Sequence, residues 1–475
     1  VLAGCAHSSH QPGFGEVRST VATRTGQEVQ WNQGTPADAQ VTERIRALLS
    51  DPLSADVAVQ VALLNNRRMQ AAYERLGVAQ ADVVEAGLLE NPIFHARPRW
   101  PDRPPSGTNM ELGVEWDFLQ ALMIPARKKL AGVQFERVRF GVMHEVLALV
   151  AEVQEAYYTF VGAQQLTEVM RVIAQAAEAS FGLAQRLSEA GNLPDLDLEN
   201  HRALFEQAKL EYARAQLRSL DARERLNALM GLWGDQTTWT VPAGLPEIPA
   251  AEPALDHLES VAISNRLDLA EAGREVEALA SALGITQDWR LFLFARIGVD
   301  SERDTDGQWV TGPELQVELP VFNQRQASIA RLEAELAASQ DRLTALAVEI
   351  RAEVRMLRTR LLLSRQIAER YEGTVVPTHQ RVVELAQQQY NFMLIGVFQV
   401  LDAKKEEMRT YRDYIDEVRD YWITRSRLER AIAQRLPAEL GPDSSRAAVP
   451  TAAENESTQH PNKPDDEGQH HDHTP

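Results

Sequence analysis

Residues 126–189 and 324–388 carry helical periodicity for 64 and 65 residues. In the first, Val146, Leu149, Val153, Tyr157 and Val161 form an apolar stripe. In the second, Leu332, Leu336, Leu343, Leu346, Ile350, Val354, Leu357 and Leu361 recur at steps of three, four or seven. At about 1.5 Å per residue each stretch would run roughly 95 Å if unbroken, farther than a single globular core requires. Shorter helices must therefore lie end to end beside these rods. The candidates are entering helices at about 52–90 and 255–285 and returning helices at about 196–230 and 396–435.

The order of elements repeats. Asn66-Arg67-Arg68-Met69 and Asn265-Arg266-Leu267-Asp268 open equivalent helices 199 residues apart. Gly191-Asn192-Leu193-Pro194 and Tyr390-Asn391-Phe392-Met393 interrupt the long helical patterns at the same offset. Between the entering and long helix of each copy the period changes to two. Met110, Leu112, Val114, Trp116 and Phe118 alternate with Glu111, Gly113, Glu115 and Asp117, with a weaker partner strand at about 93–100. In the second copy, Trp289, Leu291, Leu293, Ala295, Ile297 and Val299 alternate with Arg290, Phe292, Phe294, Arg296, Gly298 and Asp300. Leu315, Val317 and Leu319 then alternate with Glu314, Gln316 and Glu318.

One face of these strands is apolar and the other mostly polar or charged. In a soluble sandwich the apolar face would be covered by a second sheet, but four strands placed at two distant points of the chain make a poor sandwich core. Strands from several chains can instead close a barrel, which removes exposed edges and satisfies the backbone in lipid. Nine or so residues suffice for a tilted strand to cross a bilayer. The loops at 101–109 and 301–310, rich in Pro, Gly and Asp, would then lie at the outer rim. No apolar run reaches the roughly 18 residues expected of a spanning helix.

The net charge of −19, from 49 Lys plus Arg against 68 Asp plus Glu, argues against a general nucleic-acid surface. The single cysteine, Cys5, excludes a disulfide framework and multi-cysteine metal centres. Val1-Leu2-Ala3-Gly4-Cys5 matches the end of a bacterial lipoprotein signal, so Cys5 is expected to carry a covalent lipid; a free cysteine in a loose terminus is the alternative. From about residue 437 the chain is polar and Pro-rich, with His460, His470, His471 and His473 among acidic residues. This tail is either solubilising or a weak catch for borderline cations without fixed geometry.

The expected segments are 1–51, a lipidated extended arm that wraps the body or links it to the anchor; 52–240, the first repeat, with a hairpin at about 93–118; 241–254, an equatorial linker; 255–436, the second repeat, with a hairpin at about 289–320; and 437–475, a disordered His/Asp-rich tail. No Ser-His-acid or nucleotide-binding motif assembles, so neither enzymatic activity nor a cofactor beyond the lipid is expected.

This order of elements resembles the outer-membrane efflux channel family, the TolC-like proteins of Gram-negative bacteria. The resemblance spans about 51–435 and includes the transitions Phe118-Leu119-Gln120-Ala121-Leu122-Met123-Ile124-Pro125-Ala126-Arg127 and Leu319-Pro320-Val321-Phe322-Asn323. It implies a mainly α chain with transmembrane β. The assembly would be a homotrimer with a twelve-stranded barrel, four strands per chain, continued by a periplasmic α-helical barrel. It would be a passive duct in the outer membrane, docked to a periplasmic adaptor and an inner-membrane pump, often of the resistance-nodulation-division type.

The tips would lie near 190–197 and 390–397. Asp195 and Asp197 would form carboxylate rings there under threefold symmetry, or else cap the returning helix. Phe392, Met393, Leu394, Ile395 and Gly396 would contact the adaptor or narrow the closed pore; many relatives have a glycine where this chain has Met393. Glu111, Glu115, Asp117, Arg290, Arg296, Glu314, Gln316 and Glu318 are expected to face the barrel lumen. The His-rich tail and Met-containing tip favour heavy-metal cations as cargo over drugs. A lipid-anchored periplasmic coiled-coil scaffold is the reading from a different class.

Overall fold

The computed structural model describes residues 11–105, 107–250, 252, 256–291 and 295–436; Cys5, His460, His470, His471 and His473 lie outside the described residues. The axis of the first copy is a helix, α5 (Phe118–Glu189), of 72 residues and roughly 108 Å. It starts earlier than its periodicity predicts because Asp117 Oδ1 accepts the N–H of Leu119 (3.1 Å) and Gln120 (3.3 Å). Pro125 is carried inside the helix at the loss of one backbone bond. Helix α6 (Asp195–Met230) returns along one part of α5, while α3 (Ala55–Asn65) and α4 (Arg67–Ala86) cover another part end to end.

The second copy follows with α7 (Leu258–Asn265), α8 (Leu267–Asp288), α9 (Gln326–Arg370), α10 (Val376–Asn391) and α11 (Val397–Ile432). The sequence reading has one long helix where α9 and α10 are parted by a π turn at Tyr371–Val375. Pro377 explains the break: it has no N–H for the carbonyl of Gly373, and the wider turn absorbs the missing bond.

A single extended residue divides each entering helix, Asn66 (φ −65°, ψ 116°) in one copy and Arg266 (φ −66°, ψ 125°) in the other. The equivalent of Asn66 is therefore Arg266 rather than the predicted Asn265. Asn66 caps α4 through Oδ1, which accepts the N–H of Arg68 (2.8 Å) and Met69 (3.2 Å). Arg266 has no such cap and binds Asp268 through Nε (3.0 Å) and Nη2 (2.6 Å) and Glu353 through Nη1 (2.5 Å).

The expected extended arm instead contains two helices, α1 (Phe14–Thr25) and α2 (Pro36–Leu48). Phe14, Val17 and Val21 share a buried stripe, and Phe14 meets Tyr73 edge-on at 5.0 Å and Trp31 at 5.6 Å. Asp38 Oδ2 accepts the Thr35 N–H (2.9 Å) to start α2. These residues join the first core, built on Val59, Leu63, Tyr73 and Leu76, on Val146, Val153 and Phe160 of α5, and on Leu226 and Met230 of α6. A second core gathers Leu258 and Ala262 of α7, Ile350, Val354, Leu357 and Leu361 of α9, and Tyr421, Leu428 and Ile432 of α11.

Trp422 packs against both cores. Its ring stacks on Tyr158 (5.3 Å), and Nε1 donates to the Pro246 carbonyl (2.9 Å) in the stretch between the copies. That stretch is also tied down at Glu252, whose carboxylate accepts from Arg425 Nη1 (3.0 Å) and from the Tyr421 hydroxyl. Two structural repeats thus share one seam.

The hairpins of the two copies form one antiparallel sheet in the order β1 (Ile93–Arg99), β2 (Asn109–Asp117), β3 (Ala295–Arg303) and β4 (Trp309–Val317). Pairing of β2 with β3, from Met110 opposite Arg303 to Asp117 opposite Arg296, joins the copies. The second hairpin starts later than predicted because α8 extends to Asp288 and the Trp289 N–H closes on the Ile285 carbonyl (3.1 Å). Arg290 therefore lies in the turn after α8, outside any strand, and Phe292 and Phe294 lie outside the described residues. Among the described residues, no helix is long and apolar enough to cross a membrane.

Candidate functional site

The register sorts the strand residues by face. One face carries His95, Arg97 and Arg99 of β1, Asn109, Glu111, Gly113, Glu115 and Asp117 of β2, Arg296, Gly298, Asp300 and Glu302 of β3, and Gly312, Glu314 and Gln316 of β4. The polar residues read from the strand alternation thus fall on one surface, with Glu318 just past the end of β4 and Arg290 absent from it. Its charges are cross-linked. Glu111 accepts from Arg97 Nη1 (2.8 Å) and Arg99 Nη2 (2.7 Å), Glu115 from Arg296 Nη1 (3.3 Å), and Glu302 from Asn109 Nδ2 (2.7 Å). The rim ends break the pattern, with Ile93 and Val310 on this side.

The opposite face holds Phe94, Leu112, Val114, Trp116, Ile297, Val299, Trp309, Leu315 and Val317. Phe94 and Leu315 are each 67% exposed and Val299 is 56% exposed in the single chain. An apolar sheet face without a covering layer calls for lipid or a partner surface. Both sheet edges, β1 and β4, have one paired neighbour each, so their outer backbone groups face outward.

The second feature is the pair of reversals. His201 of α6 stacks on Phe398 of α11 with ring centroids 4.0 Å apart, so the two turns lie at the same end of the helical body. They use one motif. The Gly191 N–H bonds Ser188 O (2.9 Å) and the Asn192 N–H bonds Leu187 O (2.8 Å), while the Met393 N–H bonds Tyr390 O (2.8 Å) and the Leu394 N–H bonds Gln389 O (2.9 Å). The left-handed position is Gly191 in one turn (φ 75°) and Met393 in the other (φ 56°).

Asp195 and Asp197 lie exposed in the first turn of α6 but do not cap it. The N-cap is Pro194, with no side-chain cap bond, so the capping alternative is corrected to proximity to the positive helix end. Phe392 and Met393 are 76% and 93% exposed, Leu394 is exposed, Ile395 is half-buried and Gly396 is the N-cap of α11.

A methionine in the left-handed region costs about 1 kcal/mol relative to glycine. Met393→Gly is expected to slow amide hydrogen exchange across 388–397 by about fivefold, and Gly191→Ala to speed it across 186–195 by about the same factor. Unchanged exchange in Met393→Gly would show that the turn is unstrained.

Residues 58–232 match the family model described as outer membrane efflux protein. The chain is 22% identical over 367 residues to the cobalt-zinc-cadmium resistance protein CzcC of Cupriavidus metallidurans, covering 74% of this chain and 84% of that protein. It is 23% identical over 362 residues to the probable efflux pump outer membrane protein TtgC of Pseudomonas putida, covering 68% of this chain and 70% of the other. The solved structure of the Campylobacter jejuni CmeC outer membrane channel superposes with a TM-score of 0.68 at 12% identity, over 80% of this chain and 85% of that one. The family match falls on the first copy, from α3 to the end of α6, and the structural likeness extends the shared fold into the second. By repeat order, sheet and relatives, the chain is similar to the TolC-like outer-membrane efflux channel family, whose model matches its first copy and whose fold it shares.

Proposed function

We infer that this non-catalytic transport protein is the outer-membrane duct of a tripartite efflux system. The observation that carries this reading is the four-stranded sheet with one cross-linked polar face, one bare apolar face and two open edges. In lipid an open edge leaves backbone groups without partners, and pairing β1 of one copy with β4 of the next removes every edge. Three copies give a twelve-stranded barrel, with Glu111, Glu115, Asp117, Arg296, Glu314 and Gln316 toward water and Val299 and Leu315 toward lipid. The long helices continue it as a periplasmic tunnel. Conduction is passive, since the energy comes from an inner-membrane pump of the resistance-nodulation-division type.

The apolar turn at Phe392, Met393, Leu394 and Ile395, with the carboxylates of Asp195 and Asp197 at the same end, forms the adaptor contact and the gate. Cys5 bears the lipid anchor. The cargo is heavy-metal cations. Support comes from the name of the Cupriavidus relative, a cobalt-zinc-cadmium resistance protein, and from the histidines at 460, 470, 471 and 473. The name of another Pseudomonas putida relative, a toluene efflux pump outer membrane protein, leaves organic compounds as the second cargo class.

The test is co-expression with its adaptor and pump in a host lacking its own channel. Increased tolerance of cobalt, zinc and cadmium supports the reading, antibiotic tolerance alone transfers the cargo to organic compounds, and no change in either would count against an efflux role.

A further inference from the structure

The polar sheet face carries an arrangement that charge alternation alone does not require. His95, Gly113 and Asp300 form one cross-strand row over β1, β2 and β3. Strands lie about 4.8 Å apart, so His95 and Asp300 are separated by about two such steps and can meet only across the middle strand. Gly113 permits the meeting. A Cβ there would sit 2.3 Å from His95 Cε1, 2.5 Å from Nε2 and 3.1 Å from Asp300 Oδ2. The imidazole thus lies over bare backbone, with Nε2 3.6 Å from Asp300 Oδ2 and 3.7 Å from Glu111 Oε1. The three donor atoms lie within 4.8 Å of one another.

Two further details concern the carboxylates. Asp300 Oδ2 is buried and has no hydrogen-bond partner among the described residues, although its side chain as a whole is only partly buried. Glu111 Oε2 is held by Arg99 Nη2 (2.7 Å), which fixes the carboxylate and turns Oε1 toward the imidazole. Oε1 also accepts from Arg97 Nη1 at 2.8 Å, and the Arg97 side chain is 61% exposed and free to swing into water.

We propose that His95, Glu111 and Asp300 bind a divalent first-row transition cation such as zinc or cobalt, one per chain, on the polar face of the sheet. One nitrogen and two carboxylate oxygens suit a borderline cation better than magnesium or calcium, which prefer all-oxygen shells. Bonds of about 2.0–2.1 Å in a tetrahedral shell put donors about 3.3 Å apart, so the observed 3.6 and 3.7 Å need only small side-chain shifts. The fourth position is left to water. Binding exchanges Arg97 for the cation at Glu111 Oε1. Three protein ligands on an open face give a site a cation can leave, as stepwise conduction requires. Its placement in a channel lumen rests on the function proposed above; the coordination itself needs only one chain.

The experiment is a cobalt(II) titration of the full-length protein carrying His460→Ala, His470→Ala, His471→Ala and His473→Ala, read by visible absorption. Oligomeric mass and single-channel conductance are recorded on the same preparation. The expected result is one cobalt per chain, with affinity at least tenfold weaker in His95→Gln and in Asp300→Asn, each checked for unchanged circular dichroism. Absence of cobalt absorption, or absorption unaltered by both substitutions, overturns the site. A trimeric, conducting preparation without cobalt absorption would overturn the site and leave the duct intact. Cobalt absorption lost in both variants of a monomeric, non-conducting preparation would establish the site and count against the duct.

Discussion

Arginine in place of Leu315 or Val299 is expected to eliminate the trimer from the outer-membrane fraction. Both side chains project from the apolar sheet face and are exposed in the single chain. In the proposed barrel Val299, midway along β3, faces lipid near the bilayer midplane, where an arginine costs about 2–4 kcal/mol. Leu315, two residues from the end of β4, faces lipid nearer an interface, where the cost is smaller. A threefold assembly incurs either cost three times. Glu314→Gln and Gln316→Ala, from the same strand but the other face, are expected to insert normally and to alter only ion preference. Membrane fractionation and unheated gel mobility separate these outcomes. Equal insertion of all four variants would reverse the assignment of faces or remove the sheet from the membrane.

Arg266→Ala is expected to destabilise the second repeat by about 3–5 kcal/mol, because it strands Asp268 and Glu353 beside one another without their shared cation. Arg266 is 10% exposed and its bidentate contact with Asp268 sits where α7 gives way to α8. Burial pushes the Asp268 carboxyl up, but the Arg266 bonds outweigh it and hold that carboxyl below its ordinary range. A depressed carboxylate stabilises above the unfolded pKa and loses that contribution as pH falls through the folded value. The loss in Arg266→Ala is therefore expected to be large near neutrality and to shrink on acidification. Arg266→Met combined with Asp268→Asn and Glu353→Gln is expected to recover most of the stability. Chemical denaturation at two pH values measures this, and a pH-independent loss would assign the effect to packing alone.

The face assignment was legible because the side-chain period of a strand is two and lipid or water on one side preserves the alternation. Glu111, Glu115, Asp117, Arg296, Glu314 and Gln316 could be read from that pattern, whereas Arg290 could not, since α8 captures it before the sheet begins. Long helices were legible for length but not for interruption: the π turn at Tyr371–Val375 follows from Pro377, which sits in an otherwise regular stripe.

Helices α1 and α2 escaped because their burial depends on distant partners such as Tyr73. The meeting of His95 with Asp300 escaped for the same reason. It depends on the β2–β3 register, which joins two hairpins far apart in sequence, and the one local signal was a glycine at 113 inside an alternating strand. At the tips, sequence could place the reversals but not show that Met393 occupies the position held by Gly191 in the other copy.

The most direct test of the duct is single-channel recording in planar bilayers on purified full-length protein, with its mass measured in the same detergent. Asp195→Ala/Asp197→Ala should be recorded beside it, because the proposed gate lies at this tip and loses two carboxylates from each chain in this variant. The expected result is a trimeric mass with stable conductance steps, present or enlarged in the tip variant. A monomeric mass with no conductance in either protein would contradict the barrel and favour the lipid-anchored scaffold.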